Sequence, residues 1–356
     1  MQIFDTIASM GHEQIALCHD RAAGYRGIIA IHSTILGPAL GGTRFWHYAS
    51  DDEAVVDALR LARGMTYKNA VAGLNLGGGK AVIIGDNKTK DRELIFRAHG
   101  RFVESLGGRY ITAEDVGTST ADMDYVHMET KNVSGLAGRS GDPSPVTAHG
   151  VFRAIQASAK ERWGQDDIAD RMIAVQGCGH VGYFLAKELH EAGAKLIVTD
   201  IDGDRVKRVV GEFGARAVAP EEIYGVQADV FAPCALGAIV NDKTIPQLKC
   251  EIVAGAANNQ LLEERHGNAL EEKGILYAPD YVANAGGVIN VYSELAGWTS
   301  ARAFRKADEI YDTVLKVFSI ARQDRVPTYQ AADRLAEQRI GKVGSLVRTW
   351  PQWPNK

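Results

Sequence analysis

The chain of 356 residues, 46% hydrophobic and 24% charged, is longer than one hydrophobic core ordinarily serves, so two domains are expected. Its formal net charge is -4 with no block of lysines or arginines, which excludes the clustered basic face a nucleic-acid partner needs, and no apolar run could span a bilayer. The start MQIFDTIASMGHEQ lacks the pattern of a signal peptide, and Cys18, Cys178, Cys234 and Cys250 are scattered without CxxC or CxxH spacing, which predicts reduced structural thiols in a cytoplasmic protein and no metal site.

In chain order, 27–32 (GIIAIH) reads as a strand, and LGPALGGTR at 36–44 is too rich in glycine and proline to continue it. A helix follows, capped by Ser50 or Asp51, with Glu53 in its first turn and Val55, Leu59, Ala62 and Met65 or Thr66 repeating every three to four residues. Lys68 lies near its end. Three glycines at 77–79 break any helix and let backbone approach a small ligand closely; Lys80 then opens the buried strand AVIIG. A helix over 91–106 and a short strand at 110–112 lead into AEDVGTST, and the loop SGDPSP at 140–145 marks the end of a first domain, 1–140. From there strands and amphipathic helices alternate. A strand at 172–176, the turn GCGHVG, a helix at 183–191 and a strand at 195–199 closed by Asp200 make a βαβ unit. Further strands at 229–232, 251–254 and 275–278 extend it into a doubly wound, mainly parallel sheet over 141–327. Helices follow Ala285, and the tail RTWPQWPNK is too rich in proline to be helical. The fold class is therefore α/β in two domains, the second of Rossmann type.

In that second domain Gly177, Gly179 and Gly182 follow a strand and open a helix. The first permits the turn, the second lets a pyrophosphate reach backbone amides at the helix N-terminus, and the third allows close helix-to-strand packing. Asp200 stands where a carboxylate meets ribose hydroxyls, and its charge would repel the extra phosphate of NADP, so the expected cofactor is NAD.

The first domain holds Lys68 and Lys80, each beside a glycine-containing segment, and Asp115 in a loop after a strand. A lysine can hold a substrate carboxylate, and when desolvated or set beside another cation it can serve as a base. Two lysines could divide these roles, or both could be solvated with a turn aspartate; spacing does not decide between the two.

The stretches LGPALGGTR (36–44), ALRLARGMTYKNAVAGLNLGGGKAVIIGD (58–86), GRYITAEDVGTSTADMD (108–124), PSPVTAHGV (143–151), FAPCALGA (231–238), VAGAANNQL (253–261) and YAPDYVANAGGVINV (277–291) closely resemble the leucine-type members of the glutamate, leucine, phenylalanine and valine dehydrogenase family. The resemblance runs in order over nearly the whole chain. It implies an N-terminal α/β substrate domain and an NAD-binding domain, with the C-terminal helix at about 328–356 returning to the former. It makes Lys80 the catalytic lysine, whose neutral form activates the water that attacks the iminium carbon, and Asp115 the group that exchanges protons with the substrate nitrogen. Lys68 and the backbone amides of Gly41 and Gly42 would hold the α-carboxylate. Leu40, Met65, Ala113, Val288 and Val291 would line the side-chain pocket, the last two one helical turn apart if NAGGVINV begins a helix. Gly177, Cys178, Gly179, His180, Val181, Gly182 and Asp200 would bind NAD, Thr147 its carboxamide, and Asn259 cofactor or substrate.

The activity implied is the reversible NAD-dependent oxidative deamination of L-leucine and other branched aliphatic L-amino acids to the 2-oxo acid, ammonia and NADH, by a cytoplasmic homo-oligomer whose partner is the amino acid. The alternatives are the same reaction on phenylalanine or tryptophan, and a non-catalytic NAD-binding regulatory protein. Phenylalanine-specific members tend to carry glycine where Ala113 stands. The loop LAGRSGD before PSPVT is short for the family, Gly182 stands where alanine is also usual, and the C-terminal tail is unlike the family's.

Overall fold

The computed structural model describes residues 2–136, 138 and 141–346, so the proline-rich tail lies outside the described residues. The chain divides into two compact units: the first takes residues up to Ser119, Tyr125–Asn132 and Arg334 onward, the second Thr120–Asp124 and Val133–Asp333.

The first unit contains helix α1 (Ile3–Met10), strands β1 (Gln14–Asp20), β2 (Tyr25–Ser33) and β3 (Ala39–Trp46), helix α2 (Asp51–Val71), strand β4 (Gly77–Ile84), helix α3 (Glu93–Ser105) and strand β5 (Tyr110–Glu114), after which helix α4 (Thr120–His127) follows. The sheet order is β1-β2-β4-β3-β5; β1, β2 and β4 pair antiparallel, whereas β3 lies parallel to both β4 and β5. Ser50 caps α2, its hydroxyl accepting from the Glu53 N–H. Ala54, Val55, Ala58, Leu59 and Ala62 of α2 then bury against Ile28, Ala30 and Val82, while α3 covers the opposite face with Phe96, His99 and Val103.

The segment LGPALGGTR does carry a strand, contrary to the expectation from its composition. β3 needs its glycines because neighbouring backbone comes too close for a side chain: a Cβ at Gly41 would fall 1.7 Å from the Gly79 carbonyl oxygen, and one at Gly42 2.3 Å from that of Glu114. The glycine triplet at 77–79 is likewise part of a strand, not a break before one. A Cβ at Gly78 would lie 2.0 Å from the Thr66 amide nitrogen of α2, and one at Gly79 2.8 Å from the Tyr110 ring on the other face. These glycines serve the packing of protein on protein.

The second unit runs α5 (Ser144–Trp163), β6 (Met172–Gln176), α6 (His180–Glu191), β7 (Lys195–Thr199), α7 (Gly203–Phe213), β8 (Arg216–Ala217), β9 (Val230–Pro233), β10 (Ile252–Val253), α8 (Arg265–Glu272), β11 (Leu276–Tyr277), α9 (Asp280–Ala283), α10 (Gly286–Leu295), α11 (Ser300–Asp308), α12 (Ile310–Asp324) and the first residues of α13 (Thr328–Gly344). Its six strands are all parallel in the order β11-β10-β9-β6-β7-β8, the doubly wound arrangement whose order reverses beside β6. The helix starts differ from the sequence reading, α5 beginning inside the SGDPSP loop with Pro143 as its N-cap and α6 three residues early, at His180, and the strands read at 251–254 and 275–278 are shorter, Ile252–Val253 and Leu276–Tyr277.

Candidate active site

Alternation along the strands sorts the first unit's candidates. Gly78 faces α2, so Lys80 and Val82 on β4 share that face. The parallel registers pair Leu40 with Gly78 and Arg44 with Val82, and Gly42 with Ala113 of β5. Leu40, Gly42, Lys80 and Ala113 therefore form one surface, with Asp115 emerging where β5 ends. The β3–β4 pairing lapses at Gly41 and Gly42, although β3–β5 pairing continues through both. On the opposite face the Tyr110 hydroxyl donates to the Gly41 carbonyl at 2.5 Å.

Lys80 and Asp115 are brought together. Lys80 Nζ lies 2.8 Å from Asp115 Oδ2 with its side chain only 7% exposed, against 24% for Asp115. Burial, which disfavours the ammonium, holds the Lys80 amine below its usual range and outweighs the opposing pull of Asp115. Burial would raise the Asp115 carboxyl, but the adjacent Lys80 and Arg44 cations hold it below the usual carboxylate range. The loop bearing Asp115 is pinned. Its N–H donates to Thr118 Oγ1 at 2.9 Å, the Thr118 hydroxyl reaches the Thr43 and Asp115 carbonyls, and the Phe45 N–H donates to the Val116 carbonyl at 2.9 Å. Lys68 and Met65, both half-buried, flank on α2 the Thr66 amide that lies against Gly78. Leu40 and Ala113 are buried.

Sequence reasoning missed Arg44. Its Nε lies 3.0 Å from Asp115 Oδ2, the oxygen that Lys80 approaches, and its Nη1 2.9 Å from Asp57 Oδ2. Its place in LGGTR, two residues beyond Gly42, gave little signal, since the segment did not read as a strand.

In the second unit the glycine fingerprint behaves as a dinucleotide turn. Gly177 adopts φ +102°, and a Cβ there would crowd Ala235 and Cys234, which follow β9. A Cβ at Gly182 would fall 1.9 Å from the Gly177 carbonyl oxygen, so α6 packs on the turn only with glycine in this geometry. At Gly179, by contrast, the nearest atom to a Cβ is Arg205 Nη1 at 3.7 Å. That leaves a cradle at the amide end of α6, where Cys178, Gly179, His180 and Val181 sit. It suits a phosphate group.

Asp200 is half-buried, and its carboxylate accepts from the Cys178 N–H at 2.6 Å and the Asp202 N–H at 2.9 Å. It therefore braces the turn as well as presenting charge. Thr147 donates to the Pro143 carbonyl and lies beside Gly287 of α10. Asn259 is exposed at φ +50°. Val288 is buried and Val291 half-buried, one turn apart on α10. The four cysteines are free, and burial pushes Cys178, Cys234 and Cys250 up to about 12 and Cys18 to about 11. Neutral thiols of this kind are poor nucleophiles.

A mixed sheet carrying a buried lysine–aspartate pair, together with a doubly wound sheet carrying a dinucleotide turn, defines a dehydrogenase that combines polar acid–base chemistry with a nicotinamide cofactor. The chain belongs to the Glutamate/Leucine/Phenylalanine/Valine dehydrogenase family: residues 12–132 match its dimerisation-domain model, and 138–206 and 200–343 its dehydrogenase model. It is an amino-acid dehydrogenase. It is 61% identical to the leucine dehydrogenase of Thermoactinomyces intermedius, covering 99% of this chain and 97% of that one, and 59% identical to that of Geobacillus stearothermophilus, covering 96% and 94%. Among solved structures it resembles the L-tryptophan dehydrogenase of Nostoc punctiforme with a TM-score of 0.88 and 48% identity, over 96% of this chain and 99% of that one. No helix among the described residues is long and apolar enough to cross a membrane.

Proposed function

We propose that this chain catalyses the reversible NAD-dependent oxidative deamination of L-leucine and other branched aliphatic L-amino acids to the 2-oxo acid and ammonia. The observation that carries the reading is the Lys80–Asp115 pair: a buried amine, held ready to lose its proton, 2.8 Å from a carboxylate. Such an amine can accept a proton from water as that water adds to the iminium carbon, and Asp115 can pass protons to and from the substrate nitrogen. Lys68 supplies the cation for the α-carboxylate, and the Gly41 and Gly42 amides are assigned to the same group. NAD supplies the two-electron acceptor when bound. The fingerprint residues 177–182 and Asp200 would hold it, since Gly179 leaves open the space a pyrophosphate needs; Thr147 is assigned to the nicotinamide carboxamide and Asn259 to cofactor or substrate.

Side-chain recognition is assigned to Leu40, Met65 and Ala113 of the first unit and Val288 and Val291 of the second, all apolar, so selection rests on volume and shape. The greater identity to the relatives named leucine dehydrogenase than to the tryptophan one supports aliphatic substrates. The dimerisation-domain match supports a homo-oligomer, and the reduced thiols a cytoplasmic protein. The test is NADH formation with leucine, valine, isoleucine, phenylalanine, tryptophan and glutamate, each with NAD and with NADP. Leucine with NAD is expected to be fastest among these; preference for an aromatic amino acid, or equal use of NADP, overturns the corresponding part.

A further inference from the structure

Asp115 Oδ2 is shared. Lys80 Nζ approaches it at 2.8 Å and Arg44 Nε at 3.0 Å, so one carboxylate oxygen is shared by two cations. Asp115 by itself favours the Lys80 ammonium, the wrong protonation state for a base, and works against the burial that disfavours it. Arg44 is permanently charged and cannot yield its proton to the pair. It is also held from behind. Its Nη1 lies 2.9 Å from Asp57 Oδ2, the oxygen that also accepts from the Tyr48 hydroxyl at 2.8 Å, while Arg60 lies 3.5 Å from the other Asp57 oxygen. The strand register places Arg44 on the Lys80 face of the sheet, and Asp57 comes from α2, which packs on that face.

We propose that Arg44 is a positioning residue for the reaction: anchored by Asp57, it fixes the Asp115 carboxylate in place beside Lys80 and adds its own repulsion to the burial that disfavours a second cation there. The inference rests on the assignment of Lys80 as base made above. The charged and titratable groups that act on Lys80 are Asp115, Arg44 and Asp57; those on Arg44 are Asp115, Asp57 and Tyr48. Among these, the Arg44 cation lowers the Lys80 amine, whereas Asp115 and Asp57 raise it.

The experiment uses the full chain with Arg44→Gln, Arg44→Lys and Asp57→Asn, each checked for an unchanged melting transition. Two readouts are taken against pH: kcat/KM for leucine, and the extent of Lys80 acetylation by limiting acetic anhydride measured by mass spectrometry. In Arg44→Gln the acid limb of kcat/KM and the labelling midpoint should both move to higher pH, and Arg44→Lys should restore both most of the way. Asp57→Asn should lower kcat with a smaller shift. If Arg44→Gln lowers kcat but leaves the Lys80 labelling midpoint where it was, Arg44 is only a structural brace and the inference falls. A labelling midpoint that moves without the kinetic limb supports the action of Arg44 on Lys80 and removes Lys80 from the role of base. Should Arg44→Gln fail to fold, Arg44→Met, which also removes the charge, takes its place; an unchanged Lys80 labelling midpoint in it overturns the inference.

Discussion

At the scale of single residues, the two lysines differ in burial, and their replacement should differ accordingly. Lys80→Ala should abolish turnover and leave NADH binding intact, because the dinucleotide turn belongs to the other unit. Lys68→Ala should raise the KM for the amino acid before it lowers kcat, since a carboxylate would then leave water without a counter-charge. Steady-state kinetics with fluorescence titration of NADH separates the two, and near-normal turnover in Lys80→Ala would remove it from the mechanism. Ala113 tests the substrate assignment. It is buried on the Lys80 surface, so Ala113→Gly frees the volume of one methyl group and should raise phenylalanine relative to leucine by roughly tenfold, the scale of about 1–3 kcal/mol for an overfilled apolar site. An unchanged ratio in kcat/KM would show that selectivity lies elsewhere. Lys80 and Asp115 were legible through long motifs; Arg44 was not, because its role depends on a register opposite Val82 and on Asp57, brought in by a separate helix.

At the scale of elements, glycine proved the least transparent residue. Composition spoke against a strand at 36–44, yet β3 is a strand in which Gly41 and Gly42 are pressed by neighbouring backbone. The pattern could not show this, since the partners that demand glycine, Gly79 and Glu114, lie far along the chain. Gly41→Ala should therefore cost about 3 kcal/mol or more of first-unit stability, measured as a lower melting temperature or lost soluble yield; a wild-type melt would refute the close packing. The helices were easier, α2 announcing itself by a cap and a 3–4 spacing.

In the second unit three helices meet at one histidine: His149 of α5 contacts Glu188 of α6 at 2.8 Å and Asp308 of α11 at 2.9 Å. Burial disfavours its charge, but hydrogen bonds to both carboxylates prevail and hold it above its usual value. Its contribution is thus fully present below about pH 6.5 and is lost as pH rises through the raised folded value. The second unit should unfold more easily across that interval than a His149→Gln variant predicts, in melts recorded against pH; parallel profiles for the two proteins would contradict it.

At the scale of the whole molecule, the path of the chain matters more than its composition. The Rossmann-type unit was legible because its strands are short apolar runs in sequence order. The first unit was harder, because it is assembled from separated pieces. From Arg334 onward α13 belongs to it: Tyr67 donates to Glu337 at 2.8 Å, and Arg339 Nη1 donates to the Leu74 and Ala70 carbonyls near the end of α2 at 2.7 and 3.3 Å. Arg339→Ala should weaken the C-terminal end of α2 by roughly 2 kcal/mol, the scale of hydrogen bonds from a charged donor. Hydrogen exchange should then speed up in 66–74 with little change at β6 and β7; equal protection throughout would argue against this brace.

This late return bears on how the chain is made. Tyr67 and Glu337 are 270 positions apart, so at about 5–20 residues per second the ribosome delivers the second partner roughly 15–50 s after the first. Throughout that time the end of α2, which carries Lys68, emerges without its cover, while the second unit receives nearly all its residues as one uninterrupted stretch. Biogenesis therefore runs against sequence order: the second unit can mature during translation before the unit that carries Lys80 and Asp115, which is completed only once residues beyond Arg334 have emerged.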